Sequence, residues 1–198
     1  MKYFNIGIII IILTVYKCEA QHNKSEVRSN YGFQLTGLSK GFVFNNHDLT
    51  TKNNSGFGIG LFFLTKLERS VNLDVEVQLN QEYHTFVYNT LESDIKEKNL
   101  IIPVQVQYFF TSSSLYLSGD LAYKRQLSSS NKEIQFNRNI VSSSIGLNYI
   151  ISFKNFKLIP LIQYSLGLNN SIENFKLFNY TGNVFARNTG FSFTIKVM

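Results

Sequence analysis

A chain of 198 residues, 44% hydrophobic and 16% charged, has the length of one domain and carries no charge run or Pro/Gly-rich linker that would divide it. Its formal charge of +6 comes without a nucleic-acid motif, so dispersed charges account for the basicity and no nucleic-acid partner is expected. A single cysteine excludes a disulfide framework and a thiolate metal site.

The first twenty residues have the organisation of an export signal. Lys2 supplies a positive start, positions 6–15 form an apolar run, and Cys18-Glu19-Ala20 places small residues three and one positions before a cut. The run is too short for a membrane-spanning helix, which needs about 20 apolar residues. Cleavage after Ala20 is therefore expected. Lys17 sits where a lipoprotein signal needs a small residue, which argues against acylation of Cys18. Cleavage would remove Lys2, Lys17, Glu19 and the only cysteine, and lower the net charge by one. Positions 21–30 then read as a short periplasmic tail, and 31–198 as the folded domain.

From position 31 onward apolar residues recur with period two. The clearest stretch is 71–80, where Val71, Leu73, Val75, Val77 and Leu79 alternate with Asn72, Asp74, Glu76, Gln78 and Asn80. A strand sorts such residues onto two faces and a helix does not. Before it, 31–39 is a first strand, and 56–66 a second with Phe57, Ile59, Leu61 and Phe63 opposite Gly56, Gly58 and Gly60. After it, 99–110 presents Leu100, Ile102, Val104, Val106 and Tyr108 against Pro103, Gln105 and Gln107. Strand 115–125 sets Leu117, Leu121 and Tyr123 against Ser118, Asp120 and Lys124. Strand 138–151 sets Val141, Ile145, Leu147 and Tyr149 against Ser142, Ser144, Gly146 and Asn148. Strand 156–168 carries Leu158, Ile162, Tyr164 and Leu166 opposite Lys157, Gln163, Ser165 and Gly167, and 185–197 carries Phe191, Phe193, Ile195 and Val197 opposite Gly190, Ser192, Thr194 and Lys196. Pro103 and Pro160 cannot donate to a ladder and are expected at a bulge or near a strand start.

Eight strands of roughly 9 to 11 residues suit a tilted membrane crossing. Their connections alternate: 67–70, 111–114 and 152–155 are short, whereas 41–54, 81–98, 126–137 and 169–184 are long and polar. Bacterial outer-membrane barrels place short turns in the periplasm and long loops outside, and an even strand count puts both chain ends in the periplasm. The expected fold is all-β, an eight-stranded antiparallel up-and-down transmembrane β-barrel in the outer membrane.

A soluble lipocalin-like ligand carrier would show the same period with the opposite phase. Three features weigh against it. The polar face is rich in Gly, Ser, Asn and Gln, as a cramped interior requires. Tyr31, Tyr83, Tyr108, Tyr123 and Tyr149 fall near segment ends, where interfacial aromatics belong. The last strand ends on an in-phase apolar row, Phe191, Phe193, Ile195 and Val197, which looks like the C-terminal assembly signal of outer-membrane barrels.

Segments 56–66 and 71–80, then Leu100-Ile101-Ile102-Pro103 opening one strand and Leu115-Tyr116 followed by Gly119 in the next, resemble the outer-membrane β-barrel domain family that includes PorT-like proteins and small barrels of the OmpA and OmpX kind. The resemblance covers essentially 31–198. It implies a Gram-negative envelope barrel, met by outer-membrane lipid, lipopolysaccharide and the barrel-assembly machinery; an association with protein secretion belongs only to a PorT-like subset.

Asp74, Glu76, Asp120, Lys124, Lys157 and Lys196 all fall on the polar face. Eight strands leave an interior just filled by side chains, so a packed salt-bridge network is expected in preference to a gated ion path. An enzymatic alternative, modification of outer-membrane lipid, would rest on His47, Asp48 and Ser129 in the long connections acting as base, acid and nucleophile, but no spacing or nucleophile turn supports it. His84 is solitary and His22 lies before the first strand, so no metal or cofactor site is expected. The long connections mix aromatics with charge: Phe42, Phe44 and His47 in the first, Phe175, Lys176, Phe178 and Tyr180 in the fourth. Such groups either bind a partner protein or glycan or anchor the barrel rim. The expected role is a non-enzymatic structural or binding platform, or an accessory of envelope transport.

Overall fold

A computed structural model describes residues 29–46, 48–110, 114–179 and 184–198. The export signal, most of the tail, His22, His47, the turn residues 111–113 and Tyr180 lie outside these. Eleven strands follow in order: β1 (Ser29–Phe44), β2 (Leu49–Glu68), β3 (Val71–Tyr88), β4 (Leu91–Phe109), β5 (Leu115–Ser129), β6 (Ile134–Phe136), β7 (Asn139–Tyr149), β8 (Ile151–Ser152), β9 (Lys157–Gly167), β10 (Ile172–Phe175) and β11 (Ala186–Val197). Every pairing is antiparallel. The main sheet runs β11-β1-β2-β3-β4-β5-β7-β9, and β11 also pairs with β9, so a ring passes through eight strands. The eight alternating segments of the sequence are these eight strands.

The phase matches the expectation. Along β3, Asp74 is 0% and Glu76 3% exposed, whereas Leu79 is 52% exposed; on β2 and β5, Leu61 and Leu121 reach 67% and 60%. Apolar side chains therefore face outward and polar ones inward. The start of β1, the end of β11 and the short turns, as far as they are described, share one end of the ring: Phe33 is paired with Val197, and Phe153 and Phe156 stack at 4.5 Å in the turn before β9. Tyr31, Tyr108 and Tyr149 are exposed toward this end, and Tyr83 nearer the other. Phe191 and Phe193 of the last strand are exposed on the outward face.

Three expectations need correction. Positions 81–98 are not a loop. β3 and β4 continue through them as a ladder from Gln81↔Lys98 to Tyr88↔Leu91, closed by a two-residue turn. Asn89 makes that turn possible by adopting a left-handed φ of 53°, which asparagine tolerates better than most residues. Pro103 sits within β4 and causes no bulge. Its cost is an interruption of the β3–β4 ladder between Val75↔Val104 and Gln78↔Ile101, with the register unchanged on either side. Pro160, by contrast, is near the start of β9 as expected.

The third concerns the long connections, which are folded. β6 and β10 come from the third and fourth and pair into a small second sheet. Beneath it Phe42, Leu49, Phe86, Ile95, Ile134, Phe136, Ile172, Phe175, Leu177 and Ala186 form a buried apolar cluster. Phe86 lies at ring-centroid distances of 5.5 Å from Phe42, 6.2 Å from Phe136 and 6.1 Å from Phe175. Phe44 and Phe178 pack against its edge. Phe42 and Phe175, expected to bind a partner or anchor a rim, are buried in the core of a head built on the long-connection end of the ring.

Candidate functional site

Inside the ring, inward positions at period two deliver side chains from all around the sheet to a common space. Nearest the short-turn end, Lys196 of β11 reaches across to β3, donating to Asp74 Oδ2 at 2.5 Å and to Glu76 Oε1. Amides supply further donors to Glu76 Oε2 and Asp74 Oδ2. Gln34 and Gln78 donate to Glu76 Oε2 at 2.7 and 2.5 Å, and Gln107 to Asp74 Oδ2 and Gln105 Oε1, both at 2.9 Å. The cation also lies 5.4 Å from the centroid of the Phe62 ring. Long side chains fit here because β2 contributes glycine: a Cβ on Gly60 would lie 3.0 Å from Gln78 Cγ and 3.1 Å from Gln34 Nε2. The glycines of β2 and the glutamines of β1 and β3 are thus one packing arrangement.

A second cluster lies toward the head. Lys124 Nζ is 3.1 Å from both carboxylate oxygens of Glu82 and 3.8 Å from Glu97 Oε2. Asn99 donates to Glu82 at 3.1 Å. His84 Nε2 lies 3.7 Å from Glu82 and 3.8 Å from Glu97, beyond direct hydrogen bonding, while Nδ1 is 3.0 Å from Asn54 Oδ1. Its ring stands edge-on to Phe42 at 4.9 Å, so this histidine marks the boundary between the polar interior and the apolar head. Between the clusters Asp120 accepts from Ser144 Oγ at 2.9 Å and Gln163 Nε2 at 2.8 Å. A cavity of about 40 Å³ remains, lined by Lys40, Glu82, Asp120 and Lys124 among others, room for a few water molecules.

Of the six inward charges predicted from sequence, Asp74, Glu76 and Lys196 form one network, Lys124 belongs to another, and Asp120 is held by neutral donors. Lys157 is a correction: in phase with the interior, it stands exposed at the start of β9, because the interior has ended there. Glu82, Glu97 and His84 were missed, being assigned to a loop. The missed signal was the continuing alternation of Glu82, His84 and Phe86 with Tyr83, Thr85 and Val87, ending in Asn89-Thr90 between apolar residues.

Of the residues of the enzymatic alternative, His47 lies outside the described residues, and Asp48 and Ser129 belong to different connections. Ser129 Oγ donates to the backbone carbonyl of Asn131 at 3.2 Å at the end of β5, and Asp48 lies in the β1–β2 connection, where its backbone N–H donates to Asn46 Oδ1 at 2.9 Å. Among the described residues no three His, Cys, Asp or Glu side chains are grouped to hold a metal ion. At the far end of the head, a cleft is lined by Asn45, Asn170, Glu173, Asn174 and Phe185. Asn45 Oδ1 accepts from Phe185 N at 2.9 Å and Asn170 Nδ2 donates to the Ile172 carbonyl at 2.6 Å, so these two amides hold the turns.

No family model and no curated protein matches the chain. Among solved structures it is similar to the translocator domain of the autotransporter NalP from Neisseria meningitidis, at 10% identity and a TM-score of 0.35 over 98% of this chain and 96% of that one.

Proposed function

We propose that the chain is a small outer-membrane β-barrel that works as a non-enzymatic platform, anchoring a compact head beyond the membrane. One observation carries this reading: polarity reverses along the strands. On β4 the outward residues Tyr108, Val106, Val104, Ile102 and Leu100 are apolar, whereas Lys98, Lys96, Asp94 and Glu92 are not. Inward, Gln107, Gln105, Asn99 and Glu97 are polar, with Pro103 and Ile101 between them lining the interior cavity, whereas Ile95 belongs to the apolar cluster of the head. Hydrocarbon outside the first part and water outside the second is the arrangement that suits both faces. Leu100 to Tyr108 spans about 27 Å of strand, which at a tilt of about 40° covers about 21 Å, close to the roughly 25 Å apolar band of such barrels.

The ring supports the same reading, since hydrocarbon offers no partner to a free sheet edge. Lipid and lipopolysaccharide would surround the band, the assembly machinery would read Phe191, Phe193, Ile195 and Val197, and a protein or glycan partner would meet the head. The charge networks below and the aromatic cluster above fill the interior, which favours a platform over a channel. In cells, the protein should remain in the membrane fraction through high-salt and alkaline washes and migrate faster in gels when unheated. In planar bilayers it should add no discrete conductance steps. Recovery in the soluble fraction would sink the membrane reading, and steady open-channel steps would sink the platform.

A further inference from the structure

The outward faces of β4 and β5 concentrate cations where the apolar band ends. Going toward the head, β4 presents Ile102 and Leu100, then Lys98 and Lys96, and β5 presents Leu121 and Tyr123, then Arg125. Register places Arg125 opposite Leu100 and Lys98 opposite Ser128, so Lys98 and Arg125 are diagonal neighbours on one outward patch. On β7 the residue opposite Arg125 is the polar Asn139. All three cations are exposed. Lys96 Nζ lies 5.4 Å from the centroid of the Tyr83 ring, which holds it along the surface.

Of the acids farther along β4, Glu92 pairs with Lys52, and Asp94 accepts from Thr85 Oγ1 at 2.6 Å and keeps its charge. Among the described residues elsewhere on the ring, the outward row of β1 beyond Leu35 is Gly37, Ser39, Gly41 and Val43, that of β9 ends in Tyr164 and Leu166, and that of β11 carries one cation at this end, Arg187, over the Phe185 ring. The patch is thus apolar on one side and cationic on the other. Its complement is an anionic amphiphile.

We propose that Lys96, Lys98 and Arg125 bind the phosphate of an anionic membrane lipid whose acyl chains lie along Leu100, Ile102 and Tyr123. The proposal rests on the membrane reading above. Arginine suits the phosphate because its guanidinium donates two parallel hydrogen bonds, and a partly desolvated edge strengthens each of them.

The test is to fold the full chain into phosphatidylcholine vesicles containing a minor fraction of phosphatidylglycerol, extract it gently, and identify retained lipid by mass spectrometry of the complex. Phosphatidylglycerol should be enriched about tenfold over its bulk share on the native protein. The variant K96Q/K98Q/R125Q should lose that enrichment while keeping its heat-dependent gel migration. K66Q/R69Q/K154Q, which removes as much charge at the short-turn end, should keep it. Equal retention by the first variant, equal loss by the second, or no enrichment on the native protein would overturn the lipid site alone. A native chain that does not insert into the vesicles would overturn the membrane reading and the site with it.

Discussion

Replacing Lys196 with methionine should destabilise the folded protein by about 3 to 5 kcal/mol, the cost of stranding buried charge without its partner. The side chain is 1% exposed and touches both Asp74 and Glu76, so its loss leaves two carboxylates facing each other with no cation in contact. Gln34, Gln78 and Gln107 remain as donors, but neutral amides hydrogen-bond a carboxylate without cancelling its charge. The chain contains no tryptophan, so the measurement is the fraction of fast-migrating, unheated gel band across a urea series in vesicles. Restoring neutrality should recover most of the loss: D74N/E76Q/K196M is expected to unfold near the native midpoint, because a buried ion pair replaced as a unit is often neutral. Lys157→Met should change nothing measurable, since that lysine is exposed. An unshifted midpoint for K196M would show that the interior network does not hold the fold.

How far the sequence reveals this molecule depends on whether one alternation suffices to describe a segment. Where it does, as in 71–80, strand, phase and buried charges could all be read, because period two forces Asp74 and Glu76 to one side and Val75 and Val77 to the other. Lys196 could be placed inside for the same reason, though not against Asp74. That contact spans three strands of a curved ring and depends on which inward positions opposite are glycine. The head was missed because its pattern inverts. Past Asn80 the inward residues become Glu82, His84 and Phe86 and the outward ones Gln81, Tyr83 and Thr85, so the apolar alternation that defines a membrane strand fades although the strand does not. A search for apolar periodicity finds the outward apolar band and loses the strand where, on the membrane reading proposed above, the solvent changes. Similarly Phe42 and Phe175 are conspicuous in polar connections, yet only the pairing of β6 with β10 shows that they are buried together.

The same change of solvent supplies the sharpest discrimination by mutation. Leu121→Arg should destabilise the protein by about 2 to 4 kcal/mol in vesicles, the cost of a cation at the middle of a lipid-facing strand. Leu121 is 60% exposed, in one outward row with Phe63, Val75 and Val104, so if that exposure were to water the substitution would fall within about 0.5 kcal/mol of neutral. Leu127→Arg provides the internal comparison. Leu127 lies on the same outward face of β5, is 54% exposed, and stands six residues nearer the head, beyond Arg125. It should tolerate arginine, because cations already occupy that level. Urea midpoints followed by the unheated gel band would separate the two, and the result depends on depth alone, since residue type, strand and exposure are nearly the same. Equal tolerance at both positions would mean that no hydrocarbon surrounds the ring, and the exposed leucines would then require a protein partner instead.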